Sequence, residues 1–358
     1  MYTSIRYFAL GCLCSTLLLS SCSDDNDAPS NNPQVAKGIW VLNQGSWGGN
    51  NAGLTYYNPK TFEVKADAFN SVNERGLGEL GEDIKRYGSL IYIAVTGSGT
   101  VEVVRATTGE SVKQIHFIDD DQQPRSPRAF AFHNGKAYVS LFDGNVAKID
   151  TATLTVEAIT PVGANPEGMA IYGNRLFVAN SGGMSFPDYG NTLSVIDLQT
   201  FTETTEIEVA LNPVHLAADD YGDLYLLSLG NYADIAPAFQ RIRIATATIE
   251  TISGLEAMNF ALVGDYAYLY NRNYTTNEVS FSLLNVREDV IERDELITDG
   301  TAITQPYCIG ADPVSGDFYI GESDFVSNGI LHIFTKAGKK KGSFNTGMNP
   351  YKVEIVNF

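Results

Sequence analysis

The sequence predicts an all-β protein, a seven-bladed β-propeller, and two observations carry this prediction. A strand-rich unit of roughly 40 residues repeats along the chain, and this is the length of a four-stranded propeller blade. The last ten residues, 349–358, resemble the first strand of that unit, whereas the opening segment 37–43 lacks such a strand. We therefore expect the C-terminal strand to pair with the N-terminal blade, so that the ring closes without a free edge.

Each repeat has the same order of elements: an opening strand led by Pro, a short turn, an aromatic and aliphatic strand, a loop, a strand ending near Asp, and a final strand. The clearest copy opens at Asn165-Pro166 and turns at Gly173-Asn174. Its further strands are predicted at 176–180, 194–197 and 205–209. Pro suits the opening position because the first residue of a strand need not donate to the ladder. Helical periodicity is weak throughout.

The openings of the repeats are spaced as propeller blades are. Those that contain Pro lie at Pro127, Pro166, Pro213, Pro306 and Pro350. Neighbouring openings among these are 39, 47 and 44 residues apart (127 to 166, 166 to 213, 306 to 350). The openings at 81–84 and 259–262 lack Pro. Six or eight blades is the alternative count, because these second and sixth units match the repeat least well.

The first 22 residues have the features of a secretory signal. An apolar run from Phe8 to Leu19 follows Arg6 and is too short to span a bilayer as a helix. The sequence Leu19-Ser20-Ser21-Cys22 resembles the lipobox of bacterial lipoproteins, in which the Cys is lipidated. An ordinary signal peptide with a chance Cys is the alternative. We predict residues 1–22 to be a lipoprotein signal peptide and Cys22 to carry the lipid.

Residues 23–36 are predicted to be an acidic and polar tether, and residues 37–358 the propeller. The tether's Asp, Asn, Ser and Pro residues cannot pack a core. Ser23-Asp24-Asp25-Asn26-Asp27 resembles the export signal that places lipoproteins of Bacteroides-like bacteria on the outer face of the outer membrane; a plain flexible linker is the alternative. We expect an outer-membrane lipoprotein at the cell surface.

Cysteine and charge content narrow the function classes. Cys12 and Cys14 would leave with the signal and Cys22 would carry lipid, so Cys308 has no partner for a disulfide. The formal net charge is −18, and an acidic chain without a basic stripe argues against nucleic acid as a partner and leaves membrane contact to the lipid anchor. The basic cluster 339–341 is interpreted as protection of a sheet edge.

A propeller geometry predicts where a binding site would lie. The opening strands line the central channel, and the loop after each second strand returns to the face at which the opening strands begin, here called the top face. Its loops are longer and chemically richer than the bottom-face turns. We predict a bowl for a large, amide-bearing or polyhydroxylated ligand there, with aromatic rings for contact area. Its candidate residues are Trp47, Asn50, Glu82, Arg128, Glu167, Phe186, Tyr189, His215, Tyr232, Tyr274, Phe325 and Tyr351.

These candidates have structural alternatives. With 19 Tyr and 18 Phe in the chain, most aromatic residues are expected in the packing between blades. His215 is a candidate general base or metal ligand, and equally a polar residue at the channel rim. His116, His133 and His332 show no metal-ligand spacing with it, so no metal site is predicted.

No catalytic motif is present: the sequence has no Gly-x-Ser-x-Gly, no Cys/His pair and no P-loop. The acidic segment 219–223 lacks the spacing of an EF-hand and is interpreted as a hairpin turn. We predict a binding protein that is not an enzyme and has no cofactor. The alternatives are a lyase or hydrolase using Glu167 and His215 as acid and base, or a platform for another surface protein or a glycan.

The repeat with its Asn-Pro openings, Leu-Phe-Val-Ala-Asn strand and Ser-Val-Ile-Asp strand resembles the YncE-like seven-bladed propellers. More narrowly, the segments 40–47 (Trp-Val-Leu-Asn-Gln-Gly-Ser-Trp) and 50–57 (Asn-Asn-Ala-Gly-Leu-Thr-Tyr-Tyr) are similar to the start of Bacteroides surface propeller lipoproteins of the DUF5074 type. The resemblance covers essentially the whole mature chain. It implies kinship with the cobalamin-capturing BtuG-type proteins, and hence a corrinoid (vitamin B12) as ligand and an outer-membrane TonB-dependent transporter as partner.

Overall fold

The computed structural model describes residues 37–357, and in this range the chain forms seven four-stranded antiparallel sheets. These sheets are the seven predicted blades, including the divergent second and sixth. The predicted signal peptide, the lipidation site Cys22 and the tether lie outside the described residues. No helix in the described part is long and apolar enough to cross a membrane.

The strands of the first four blades are given from the innermost to the outermost. Blade 1 contains β28 (Pro350–Asn357), β1 (Lys37–Asn43), β2 (Gly53–Asn58) and β3 (Glu63–Lys65). Blade 2 contains β4 (Gly81–Tyr87), β5 (Leu90–Val95), β6 (Thr100–Arg105) and β7 (Ser111–His116). Blade 3 contains β8 (Pro127–His133), β9 (Lys136–Leu141), β10 (Asn145–Asp150) and β11 (Thr155–Pro161). Blade 4 contains β12 (Pro166–Tyr172), β13 (Arg175–Asn180), β14 (Thr192–Asp197) and β15 (Thr202–Glu208).

The last three blades have the same arrangement. Blade 5 contains β16 (Pro213–Ala218), β17 (Asp223–Ser228), β18 (Ala238–Arg243) and β19 (Thr248–Thr251). Blade 6 contains β20 (Asn259–Val263), β21 (Tyr266–Arg272), β22 (Val279–Asn285) and β23 (Val290–Arg293). Blade 7 contains β24 (Pro306–Ala311), β25 (Phe318–Glu322), β26 (Asn328–Phe334) and β27 (Lys340–Met348).

The C-terminal strand closes the ring as predicted. β28 is the innermost strand of blade 1 and pairs antiparallel with β1, from Lys37 opposite Asn357 to Asn43 opposite Pro350. Because β28 supplies the position next to the channel, the first and last segments of the propeller share one ladder. This ladder joins blade 7 to blade 1 through the chain itself.

The inner strands begin at the predicted openings, and the structure explains their Asn-Pro signature. The residue just before an inner strand has a positive φ of 49 to 61° at five openings: Leu80, Ser126, Asn165, Asn212 and Asn349. Asn tolerates this left-handed conformation better than most residues. Pro then starts the strand without a loss of ladder bonds. Asn-Pro therefore suits the corner at which the chain turns into the channel.

The core lies between neighbouring blades. In one cluster, Trp40, Leu42 and Leu54 of blade 1 pack with Ile91 and Ile93 of blade 2. The indole Nε1 of Trp40 also donates to the carbonyl of Ala106 at 2.9 Å. Each sheet is thus covered on both faces by its neighbours. The alternation of buried residues along the middle strands is lost, and these strands appear in the sequence as short continuous apolar runs.

Two details of the prediction were wrong or incomplete. The final strand of blade 4, predicted at 205–209, extends over Thr202–Glu208. A short helix, α1 (Ala68–Asn73), lies between blades 1 and 2 and was not predicted. Phe69 is fully buried in the interface between these blades. Tertiary packing therefore holds a helix too short to be stable alone.

Candidate functional site

A cavity of about 360 Å³ lies in the central channel. Within the described chain it is lined by residues of six inner strands, namely β4, β8, β12, β16, β20 and β28. Residues of top-face loops also line it, among them Ser181, Tyr189 and Tyr232. The cavity therefore opens towards the top face, where the prediction located the ligand.

β-Bulges direct side chains into this channel. In six of the seven inner strands of the described structure, the ladder shifts register directly after the opening residue. The residues within these shifts are Glu82, Arg128, Ala129, Glu167, Gly168, Val214, Tyr307 and Tyr351. A bulge places two residues opposite one and changes the direction of a side chain. Most of the polar residues at the channel mouth occupy these positions.

Arg128 is the centre of a charged network at the mouth. Its Nε and Nη2 donate to the two carboxylate oxygens of Glu167 at 2.8 and 3.0 Å. Its Nη1 lies 2.8 Å from Oε1 of Glu82, and its guanidinium carbon lies 5.0 Å from the ring centroid of Phe142. The side chains of Arg128, Glu82 and Glu167 are only 20, 7 and 15% exposed. The single buried cation Arg128 therefore pairs with two carboxylates, those of Glu167 and Glu82.

The network continues to blades 1 and 7. Gln44 Nε2 donates to Oε1 of Glu82 at 3.0 Å, and the hydroxyl of Tyr307 donates to Gln44 Oε1. Tyr307 also contacts Tyr351, with ring centroids 5.5 Å apart. Hydrogen bonds and ion pairs therefore connect five consecutive blades, from blade 7 to blade 4, around the channel mouth.

Burial shifts the pKa values of the groups in the cavity. Burial lowers the pKa of His215 well below its usual range, and the nearby cations Lys352 and Arg128 lower it further. Burial raises the pKa of Glu167, against the opposing effect of Arg128. Burial and the carboxylate of Glu82 raise the pKa of the Tyr351 hydroxyl well above its usual range. His215 is therefore neutral at physiological pH and keeps one unprotonated ring nitrogen.

Exposed apolar side chains surround the cavity on one side. They lie on the top-face loops of five consecutive blades, 4, 5, 6, 7 and 1, and we call them the apolar crescent: Met184, Phe186, Tyr232, Ile235, Tyr274, Phe325, Val326 and Trp47. Trp47 is 87% and Phe186 68% exposed. The corresponding loops of blades 2 and 3 are short, covering residues 96–99 and 142–144. Large exposed apolar groups gathered on one face are typical of a binding surface.

The crescent and the cavity meet at Tyr189. Its ring lies 6.1 Å from that of Phe186 and 6.0 Å from that of Tyr232, both in edge-on arrangements. Tyr189 also lines the cavity. This aromatic row links the loops of blades 4 and 5 and forms part of the wall above His215.

The structure brings seven of the twelve predicted site residues together around the cavity. These are Glu82, Arg128, Glu167, Tyr189, His215, Tyr232 and Tyr351. The other five do not line it. Trp47, Phe186, Tyr274 and Phe325 belong to the crescent. The backbone amide of Asn50 donates to the Glu79 carboxylate, which also accepts from Gly48 at 2.5 Å, so Asn50 shapes the Trp47 loop.

Several cavity residues were not predicted. Lys85, Asp83 and Lys352 line the cavity, and Gln44 belongs to the network at its mouth. Lys352 directly follows the bulge residue Tyr351. No sequence motif marks these positions, because alternation along an inner strand is interrupted at the bulge.

The structure supports the hairpin interpretation of residues 219–223. Asp219 Oδ1 accepts from the backbone amides of Tyr221, Gly222 and Asp223 at 2.8–2.9 Å, as expected of a turn residue. Among the described residues, no group of three or more His, Cys, Asp or Glu could hold a metal ion. Cys308 is buried and free, and burial raises the pKa of its thiol to about 12.

Comparison with known proteins shows the fold of the chain but does not assign it to a family. No model of a known family matches the sequence, and no curated protein matches it. Hydrazine synthase of Kuenenia stuttgartiensis is similar in structure, with a TM-score of 0.59, 16% identity and coverage of 76% of this chain and 93% of that one. AztD of Citrobacter koseri has a TM-score of 0.56 at 12% identity, covering 90% and 98%. The computationally designed Ika8 protein also has a TM-score of 0.56 at 12% identity, covering 91% and 97%. The chain is a seven-bladed β-propeller.

Proposed function

We propose that this protein captures a corrinoid, such as vitamin B12, at the top face of its propeller and passes it to an outer-membrane TonB-dependent transporter. The observation that carries this proposal is the combination of the apolar crescent with the polar cavity that it borders. A corrinoid offers matching surfaces, since it has an extended, largely apolar macrocycle with amide side chains around its edge. Residues 40–47 and 50–57 resemble surface propeller lipoproteins of the DUF5074 type. That group includes the cobalamin-capturing BtuG-type proteins, and this membership favours the same ligand.

The sizes indicate how such a ligand would bind. A volume of about 360 Å³ is at the lower end of the roughly 300–1,000 Å³ of small-molecule pockets. A corrinoid is larger than a drug-sized ligand and would lie across the mouth, with its macrocycle against the crescent and one side chain in the cavity. Stacking on exposed rings contributes on the order of 1 kcal/mol per ring. Several rings together would therefore be needed for tight capture.

The surface location is part of the proposal, with Cys22 as the lipid anchor. β1 begins at the bottom face, opposite the crescent, because Lys37 pairs with Asn357 at the far end of β28. A tether of residues 23–36 can span at most about 50 Å. This length would let the top face meet either the medium or a neighbouring transporter.

A lyase or hydrolase using Glu167 and His215 is the alternative of a different class. The opposite pKa shifts of these two groups favour it, because perturbed values are common in active sites. However, both oxygens of Glu167 accept hydrogen bonds from Arg128. This carboxylate is held as an ion pair and is poorly placed to exchange a proton with a substrate. Binding without chemistry is the function that the geometry supports better.

Isothermal titration calorimetry tests the proposal. Protein comprising residues 23–358, without the lipidated Cys22, is titrated with cyanocobalamin and with cobinamide. We expect one-to-one binding of both. If neither cyanocobalamin nor cobinamide gives heat of binding at several temperatures, corrinoid capture is excluded. Slow conversion of a corrinoid during the titration, lost in the His215→Gln variant, would instead support the enzymatic alternative.

A further inference from the structure

Lys352 and His215 are polar side chains of the cavity that take no part in the Arg128 network. The Lys352 side chain has no hydrogen bond to, and no ion pair with, any described residue; its ammonium lies 5.8 Å from the ring centroid of Tyr351. The ring of His215 also makes no hydrogen bond within the described structure, although it lines the cavity. Unpartnered polar groups in a partly buried site cost free energy unless a ligand or water satisfies them. Both side chains are therefore free to recognise a ligand.

The other cations of the cavity are already occupied. Arg128 pairs with Glu82 and Glu167, and Lys85 donates to the carbonyl of Phe130 at 2.7 Å. Among the described lining residues, three cations stand against the three carboxylates of Glu82, Asp83 and Glu167. The formal charge of the lining is therefore balanced before a ligand binds. An added anion would leave an uncompensated negative charge near Glu167 and Glu82.

We infer that the cavity binds a primary carboxamide between Lys352 and His215. The amide oxygen accepts from the Lys352 ammonium, and the amide N–H donates to the unprotonated ring nitrogen of His215. A neutral carboxamide both accepts and donates, as these two groups require, and it leaves the charge balance unchanged. This inference rests on the proposed function, in which the carboxamide is a peripheral side chain of the corrinoid.

The backbone of β16 is held firmly beside this site. Gly168 of β12 packs against it so closely that an added Cβ would lie 2.6 Å from the Val214 carbonyl oxygen and 2.8 Å from the Leu216 amide nitrogen. β16 carries His215, and β12 carries Glu167. His215 is thus presented from a fixed backbone, which favours a defined hydrogen bond over an adaptable one.

A carboxylate in place of the carboxamide should bind poorly. It has no N–H for the unprotonated nitrogen of His215, and repulsion by Glu167 and Glu82 opposes its attraction to Lys352. A site built to hydrogen-bond a group rejects an analogue that lacks it more strongly than an apolar pocket rejects a change of size. We expect at least about a tenfold preference for the amide, or about 1.4 kcal/mol.

Calorimetry with matched ligands tests this inference. Cyanocobalamin is compared with its monocarboxylic acids, in each of which one peripheral amide is hydrolysed. We expect the wild type to bind one of these acids at least tenfold more weakly than cyanocobalamin. The Lys352→Met variant should bind cyanocobalamin at least several-fold more weakly, because the amide oxygen loses its donor, whereas the control Lys60→Met, in a bottom-face turn, should bind it as the wild type does. Equal affinities for all the acids, with an unchanged affinity in Lys352→Met, would overturn the carboxamide site and leave corrinoid capture intact.

A second measurement tests the carboxamide site independently of corrinoid binding. The His215 ring signals are assigned by NMR from their absence in His215→Gln, and the protein is titrated with propionamide and with propionate. We expect a saturable shift of the His215 signals with propionamide that is at least several-fold weaker in Lys352→Met. No shift with propionamide, or an equal response to propionate, would contradict the site even where capture has failed for other reasons.

Discussion

Arg128 on blade 3 donates to both carboxylate oxygens of Glu167 on blade 4, at distances of 2.8 and 3.0 Å. The same guanidinium reaches Glu82 on blade 2. All three side chains leave their strands at bulges directly after the opening residue. One buried ion network therefore joins three blades at the mouth of the channel. Its three side chains form part of the wall of the cavity.

Replacement of Arg128 by Met should destabilise the propeller. Glu82 and Glu167 would be left as buried, unpaired carboxylates, and loss of one partner of a buried pair costs about 3–5 kcal/mol. Some solvent access reduces the expected loss to about 2–4 kcal/mol at pH 7.5, measured by urea unfolding. The control Arg105→Met removes an exposed pair with Glu110 and should cost less than about 1 kcal/mol.

The Arg128→Met defect should depend on pH with a defined sign. Without the guanidinium, burial raises the pKa of Glu167 above its value in the unfolded chain. The folded variant then binds more protons than the unfolded variant, so its stability falls as pH rises through the folded-state pKa. The defect should therefore be smaller at pH 5 than at pH 7.5. A defect that is equal at both pH values would show that lost packing, not lost charge pairing, is its cause.

Glu354 on β28 should make the wild type less stable at high pH. Burial raises its pKa to about 7, with Lys85 opposing and Asp83 adding to the shift, from an ordinary value of 4.5. The folded state therefore binds more protons than the unfolded state between these values, and its stability falls as pH rises through 7. Glu354→Gln should be about 2–3 kcal/mol more stable than the wild type at pH 8.5, and equal to it near pH 4.5.

Urea unfolding across this pH range measures the Glu354 effect. The matched control is Glu206→Gln on the exposed outer strand β15, which should change stability by less than about 0.5 kcal/mol at either pH. If Glu354→Gln is less stable than the wild type at pH 8.5, attraction to Lys85 outweighs the cost of burying the carboxylate.

Replacement of Gly168 by Ala should disturb the inner ring. The added methyl group would meet backbone atoms of β16 at 2.6 and 2.8 Å, and overpacking of this kind costs about 1–3 kcal/mol. A methyl group added at the exposed Gly76 would have nothing within 4 Å, so Gly76→Ala should be nearly neutral. Thermal unfolding of both variants distinguishes them. Equal midpoints would show that β12 and β16 can separate without cost.

Tyr189 should matter more for ligand binding than Trp47. Tyr189 lines the cavity and contacts both Phe186 and Tyr232, whereas Trp47 stands alone on its loop with 87% of its surface exposed. We expect Trp47→Ala to weaken corrinoid binding about fivefold and Tyr189→Ala by tenfold or more, with folding intact. The bottom-face control Phe62→Ala should bind as the wild type does. Wild-type affinity in both top-face variants would remove these residues from the site.

The architecture could be predicted because each blade repeats the same sequence signals for the start of a strand and for a turn. Asn-Pro or an equivalent opening, a Gly- or Asn-containing turn and a buried aromatic strand recur at blade length. The exposed outer strands were less predictable. β15 is mostly exposed, so no apolar alternation marks its first residue, and its start was placed three residues late. The helix α1 depends on the burial of Phe69 between two blades, which no local pattern reveals.

The candidate site was predictable in its location but not in its connections. Openings were expected to face the channel, and Glu82, Arg128 and Glu167 do. That they form one network depends on bulges, which shift the strand alternation by one residue and leave no mark in the sequence. Lys352 was missed for this reason. Trp47 and Tyr274 lie on top-face loops, as expected, but they belong to the apolar crescent and do not line the cavity.

Fluorescence of Trp47 tests the central claim most directly, because the chain contains only two Trp and the other, Trp40, is 2% exposed. Cyanocobalamin absorbs where Trp emits, so capture at the top face should quench Trp47 in a saturable, one-to-one manner. In the double variant Trp47→Phe with Phe62→Trp, the exposed indole lies on the bottom face, and quenching should be much weaker at the same occupancy. Equal quenching of both indoles, or none of Trp47 at saturating corrinoid, would contradict capture at the top face.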